Sequence, residues 1–257
     1  MRTLYLLAIA TFMAPFFISC DTLSQVATNM PQTTRGTSTG TKTTGSSGTI
    51  TQTEAATGIK QALSKGLNNS INTLSAQNGF LGDAVVKILM PQEAQQVEKT
   101  LRSIGMGSLV DNFITSLNKA AESAVKEAAP VFVNALSQMT VTDAFNILLG
   151  SQQDAATSFF KRTTSATLTA KFNPIVESAL GKNNVSTYWT QLTTAYNNLP
   201  LSNQKIQTDL NAYVTQKAID GLFVKVAQEE LKIRQNIGNA RSSGILDKVF
   251  GWVDQQK

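Results

Sequence analysis

An all-α fold is predicted by three features of the chain. Apolar residues recur three and four positions apart through nearly every long segment after residue 51, the spacing of one helix face. Ser, Thr or Asp followed three residues on by an acid, and Gly or Pro beyond the last apolar position, punctuate these runs as helix starts and stops. Strand-like alternation of apolar and polar residues is scarce, and no fixed-period repeat points to a solenoid. The folded part is about 200 residues long, suited to one domain. Its runs amount to about eight to ten helices.

Taken in order, Thr51 and Glu54 match a capping box ahead of Ile59, Leu63, Leu67, Ile71 and Leu74. Asn78-Gly79 breaks that helix. Residues 80–90 form an apolar connector, read as an extended wrap rather than a strand. Pro91 opens the next helix in its first turn, and Gly105 stops it. Ser108 and Asp111 make a box-like start before the stripe Val110, Phe113, Ile114, Leu117 and Ala121. Pro130 restarts or bends that helix, which continues to about Met139. Thr140 and Asp143 begin a short helix ending at Gly150, and Ser151 with Asp154 begins another. A separate helix over residues 164–180 contains Pro174, which predicts a bend or break near Asn173. Three more follow over residues 185–197, 209–235 and 245–252. Tyr213, Ile219 and Leu222 lie on the inner side of the long one.

Residues 1–19 read as a lipoprotein signal peptide. Arg2 is a minimal positive start, and residues 4–18 are apolar apart from Thr11 and Pro15. The apolar core is shorter than the roughly 20 residues that span a bilayer. It ends in Phe17-Ile18-Ser19-Cys20, a small residue before a cysteine, with Phe17 where Leu is usual. Cys20 is the only cysteine, so its expected fate is acylation, with palmitate among the acyl chains. Residues 20–50 then form a Thr/Ser/Gly-rich flexible tether, and residues 51–257 the helical domain. About 30 such residues reach roughly 30 Å. The expected location is the bacterial cell envelope, lipid-anchored and facing the periplasm. The choice between inner and outer membrane stays open.

The chain has no histidine, which removes Ser-His-Asp and Cys-His catalysis and His-based zinc sites. Its net charge of +5 is scattered, without an Arg-rich block, so no nucleic acid is expected. Gly105-Met106-Gly107 lacks a third glycine and a preceding strand, and no cofactor is expected. No residue is assigned as catalytic or as a metal ligand. The polar residues that stand out are Asn118, Glu122, Asp143, Lys217, Asp220 and Glu229, with Glu230 beside the last. One reading brings Asn118, Glu122, Asp220 and Glu229 to a single polar cavity, as a cation site or an acid–base pair. The other makes Asp143 and Asp154 helix caps, Glu122 a surface partner of Lys126, and Lys217 a local partner of Asp220.

Seven segments, in order, resemble the bacterial domain of unknown function 4197. They are GIKQAL with NGF downstream, LRSIGMGSLVDNF, LNKAAESAV, MTVTDAFNILLG, AATSFFKRTTSATL, NPIVESAL, and DLNAYVTQKAIDGLFVKVAQEELKIR. The resemblance runs from about residue 54 to 250 and implies an exported, mostly helical domain. It implies no activity, substrate or site residue. The favoured function is a non-enzymatic ligand-binding or scaffold lipoprotein, partnered by the membrane through Cys20 and by an envelope ligand or protein. A carboxylate-dependent hydrolase of envelope polymers, using Glu122, Asp220, Glu229 and Glu230, and a purely structural envelope protein are the alternatives.

Overall fold

The structure is a computed structural model that describes residues 50–198 and 209–256. The expected signal peptide, Cys20 and the tether up to residue 49 lie outside the described residues. Ile50, expected as the tether's last residue, is half-buried against the core. Nine α-helices and no strand occur among the described residues, which makes the fold all-α. They are α1 (Gln52–Ser75), α2 (Gln95–Ser103), α3 (Gly107–Val125), α4 (Ala128–Gln138), α5 (Val141–Leu149), α6 (Ala155–Lys182), α7 (Val185–Asn197), α8 (Leu210–Arg234) and α9 (Gly244–Asp254).

Helices α3, α6 and α8 pack on one another, and α1 lies against α8 with α4, α5 and α9 around it. Helices α2 and α7 close the far side of α3. Five phenylalanines are fully buried: Phe80, Phe113, Phe132, Phe160 and Phe172. Phe132 meets Phe160 and Phe223 edge-on, with ring centroids 5.6 and 6.2 Å apart. Rings in this arrangement place positive edges on negative faces and hold the helices in one register.

Local chemistry explains where most helices start. Thr51 and Glu54 form the expected capping box, as do Thr140 and Asp143. Glu54 also reaches Lys248 of α9 at 2.6 Å. The hydrogen bond from Lys248, then those from Thr51, hold its carboxyl down at about 2. Asp209 accepts from the Ala212 N–H at the head of α8.

The structure corrects other expectations. Helix α3 begins at Gly107 with no side-chain cap: Met106 is the N-cap, Ser108 falls inside the first turn, and Asp111 pairs with Arg102 at 2.7 Å. The break expected at Pro130 falls earlier, at Lys126-Glu127. Pro130 then sits in the first turn of α4, where its missing N–H has no helical partner to lose. The two helices expected over residues 154–180 are one helix of 28 residues that runs through Pro174. Leu168, Phe172 and Val176 are fully buried on either side of the proline. Their burial holds both halves of α6 in the core and outweighs the lost backbone bond, which in isolation costs about 3 kcal/mol.

Candidate functional site

The connector over residues 80–90 has no strand neighbour, yet side chains from α3 meet part of its buried backbone. Asn118, fully buried on α3, does part of this. Its side-chain oxygen accepts the Ile88 N–H at 2.9 Å, and its amide donates to the Ile88 carbonyl at 2.8 Å and to the Ile114 carbonyl at 2.7 Å. An amide side chain thus stands where an adjacent strand would be. One turn further along α3, Glu122 accepts the Phe80 N–H at 3.3 Å, with the N–H groups of Asn78 and Leu81 also turned to it. Glu122 is only 8% exposed, so the expected surface pair with Lys126 does not form.

Burial pushes the Glu122 carboxyl above its ordinary range, against the pull of those N–H donors. A carboxyl raised in the folded state contributes full stability below the unfolded value of 4.5, and that contribution is lost as pH rises through the raised value. Glu122→Gln keeps an acceptor for Phe80 and does not titrate. Its stability is therefore expected within about 1 kcal/mol of the parent at pH 7, with the variant gaining on the parent as pH rises from 4 to 8. Urea denaturation at stepped pH checks this. A gap that widens in the parent's favour would contradict it.

With one edge held by Asn118, the connector presents its other edge to α8. Val86, Ile88 and Met90 are buried, while Val85 and Leu89 are 66% and 53% exposed. Lys225 of α8 pairs with Asp83, and the Tyr213 hydroxyl donates to the Leu89 carbonyl at 3.1 Å. Gly221 lets the connector come close, since a Cβ there would lie 2.8 Å from the Phe80 ring and 3.3 Å from Val86. Between residues 85–95 and α8 a groove of about 610 Å³ remains open. Its α8 side is one stripe, Tyr213, Lys217, Asp220 and Val224, spaced as helix neighbours.

Lys217 and Asp220 therefore share this groove, though not as the ion pair expected. The Lys217 ammonium lies over the Tyr213 ring, 5.8 Å from its centroid. Asp220 instead accepts from Gln216 at 2.9 Å. Glu93 faces them from the connector side. Burial first, and then the charge of Glu93, raise the Tyr213 hydroxyl above its ordinary range.

The other candidates lie apart from this groove. Asp143 accepts the Thr140 N–H and hydroxyl at 3.0 and 2.6 Å, and these bonds, hydroxyl first, hold its carboxyl down. It borders two cavities of about 400 and 200 Å³ that also share Phe159 and Arg162. Glu229 accepts from Asn69 at 3.0 Å and from Lys232 at 2.6 Å, tying α8 to α1. Burial works to raise its carboxyl, but those two bonds outweigh it and the net direction is down.

Glu230 does the work expected of Asp154. It reaches across from α8 to the start of α6, accepting the Ala156 and Thr157 N–H groups at 2.9 and 2.8 Å and the Thr157 hydroxyl at 2.8 Å. Arg234 donates to it at 2.9 and 2.7 Å and also holds the Ile147 carbonyl at 2.8 Å. Asp154 makes no side-chain cap. The sequence signal was a Glu and an Arg four apart inside the apolar stripe of Val226 and Ile233. Their target, 73 residues away, was not visible there.

The carboxylates thus do not converge. Glu122, Glu229 and Glu230 each fasten a different junction, and of the four residues proposed for hydrolysis only Asp220 opens on the groove. Among the described residues no cluster of three or more acids or cysteines is placed to hold a metal ion. No helix among them is long and apolar enough to cross a membrane. A family model described as a protein of unknown function, DUF4197, matches residues 49–251. Neither a curated protein nor a solved structure matches the chain.

Proposed function

The chain belongs to the DUF4197 family, and on that premise we propose that it is a non-enzymatic binding module of the bacterial cell envelope. It is anchored by a lipid on Cys20 and works through the groove between residues 85–95 and α8. The observation that carries this reading is the division of labour among its polar residues. Buried Asn118, Glu122 and Glu230 are consumed in hydrogen bonds to backbone or to neighbouring side chains, whereas Lys217, Asp220 and Glu93 line an open cavity of ligand size. The missing histidine supports a binding role over catalysis. The anchor is supported by the apolar run before Ser19-Cys20 and by the absence of any second cysteine.

A thermal-shift screen of the full chain against envelope lipids, glycans and peptides tests the groove. A ligand present at a hundred times its dissociation constant stabilises by about 2.7 kcal/mol, which is about 5–10 °C for a domain of this size. The shift is expected in the parent and not in Val224→Arg, which places a long charged side chain in the groove from a position already 37% exposed. An equal shift in both would place binding elsewhere. Labelling cells with an alkyne analogue of palmitate tests the anchor. Label is expected on the parent and absent from Cys20→Ser, and label that persists in the variant would overturn the anchor.

A further inference from the structure

We infer that the groove receives an extended peptide, which adds as a parallel strand beside residues 87–89. This rests on the groove being the chain's binding surface, and it goes further by naming the occupant. The Ile88 N–H and carbonyl both go to Asn118, so that edge of the connector is closed. In an extended chain the next residue directs its own pair the opposite way. The Leu89 carbonyl does so and is met by Tyr213 of α8. Residues 87–90 alternate exposed and buried, as an extended chain does, which turns the Leu89 N–H to the same side as its carbonyl; neither that N–H nor the Lys87 carbonyl has a hydrogen-bond partner among the described residues. Both Lys87 and Leu89 line the groove.

Those two free groups set the direction of pairing. In a parallel pair, one residue of the incoming strand donates its N–H to one carbonyl and accepts from the N–H two residues further on. Lys87 and Leu89 supply that set. An antiparallel neighbour instead exchanges both bonds with a single residue. At Lys87 the N–H is already given to the Asp83 carbonyl at 2.9 Å, and at Leu89 the carbonyl is already held by Tyr213.

The size of the groove agrees. From Tyr213 to Val224 the helix advances about 16 Å at 1.5 Å per residue, matching about five residues of extended peptide at 3.3 Å each. Exposed Leu89, Val85 and Val224 offer apolar contact to alternate side chains. Lys87 and Lys217 complement an acid in the peptide, and Glu93 and Asp220 a base. A bound helix has no free backbone groups to meet Lys87 and Leu89, and a lipid acyl chain has no use for a rim with four charges.

Affinity selection of a random heptapeptide library on the full chain tests the inference. The selected peptides are then made with a single backbone N-methyl group at each position in turn. Binding is expected to fall at least tenfold when the methyl blocks the N–H that meets Lys87, and to change little at the residues on either side, whose N–H groups point away. Leu89→Pro, which removes the free donor at an exposed extended position, is expected to cause a loss of the same order. Peptides that bind the parent but not Val224→Arg, yet are indifferent to N-methylation, overturn the strand pairing and leave the groove as the binding surface. A lipid or glycan that shifts the melting of the parent but not of Val224→Arg in the thermal-shift screen, with no peptide enriched, does the same. Failure of every ligand class to bind overturns both.

Discussion

Replacing Glu230 by Ala is expected to lower the stability of the folded chain by about 3–5 kcal/mol, a large share of the 5–15 kcal/mol typical of a domain. Two losses combine. Arg234, whose side chain is 9% exposed, loses the one carboxylate it pairs with among the described residues and is left as a buried, uncompensated charge. The first N–H groups of α6, at Ala156 and Thr157, lose the acceptor that stands in for a cap. Glu230→Gln keeps an acceptor for α6 but weakens the bonds from Arg234, so a smaller loss of about 1–3 kcal/mol is expected. Glu230→Leu combined with Arg234→Met removes both charges and is expected to recover part of the deficit, as exchange of buried pairs for apolar residues does elsewhere. Urea denaturation of the variants decides this. A loss under 1 kcal/mol for Glu230→Ala would mean that the contacts seen at α6 do not carry its start.

The second large effect is expected at Asn118. Truncation to Ala leaves the Ile88 N–H and carbonyl buried with no partner, at about 1–3 kcal/mol for each orphaned group. A total of about 2–4 kcal/mol is expected, since the Ile114 carbonyl keeps its helical bond. Asn118→Asp is expected to be as damaging, because a carboxylate would face the Ile88 and Ile114 carbonyls that the amide now serves. The functional consequence is separate from stability. The connector forms one side of the groove, so Asn118→Ala is expected to weaken groove ligands even under conditions where the chain stays folded. Ligand affinity unchanged in a folded Asn118→Ala chain would detach Asn118 from the site.

Much of the helical layout was legible because it depends on near neighbours. The capping boxes at Thr51–Glu54 and Thr140–Asp143 are three-residue relations, and both form. Where a distant partner competes, the local reading failed. Asp111 belongs to Arg102, Glu122 to the turn at Phe80, and the start of α6 to Glu230. Of the bend or break expected near Asn173, the break does not occur, because the burial that overrides Pro174 comes from other helices and is not local. Asn118 and Glu122 drew notice as polar residues beside an apolar stripe, and they do act together. Their work is to hold the connector, which spacing on one helix could not reveal. Lys217 and Asp220 lie on the groove, but its decisive groups, the Leu89 N–H and the Lys87 carbonyl, are backbone atoms that no residue type announces.

The connector is fastened along one edge by Asn118 and, in the proposed function, works along the other. Residue-resolved amide exchange of the full chain, with and without a selected peptide, tests this most directly. In the free chain the Ile88 amide, bonded to Asn118, is expected to exchange slowly and the Leu89 amide quickly. With peptide bound, Leu89 is expected to slow by at least tenfold while Ile88 changes little. A Leu89 amide already protected in the free chain, or one that stays fast with the groove occupied by peptide, would contradict the claim.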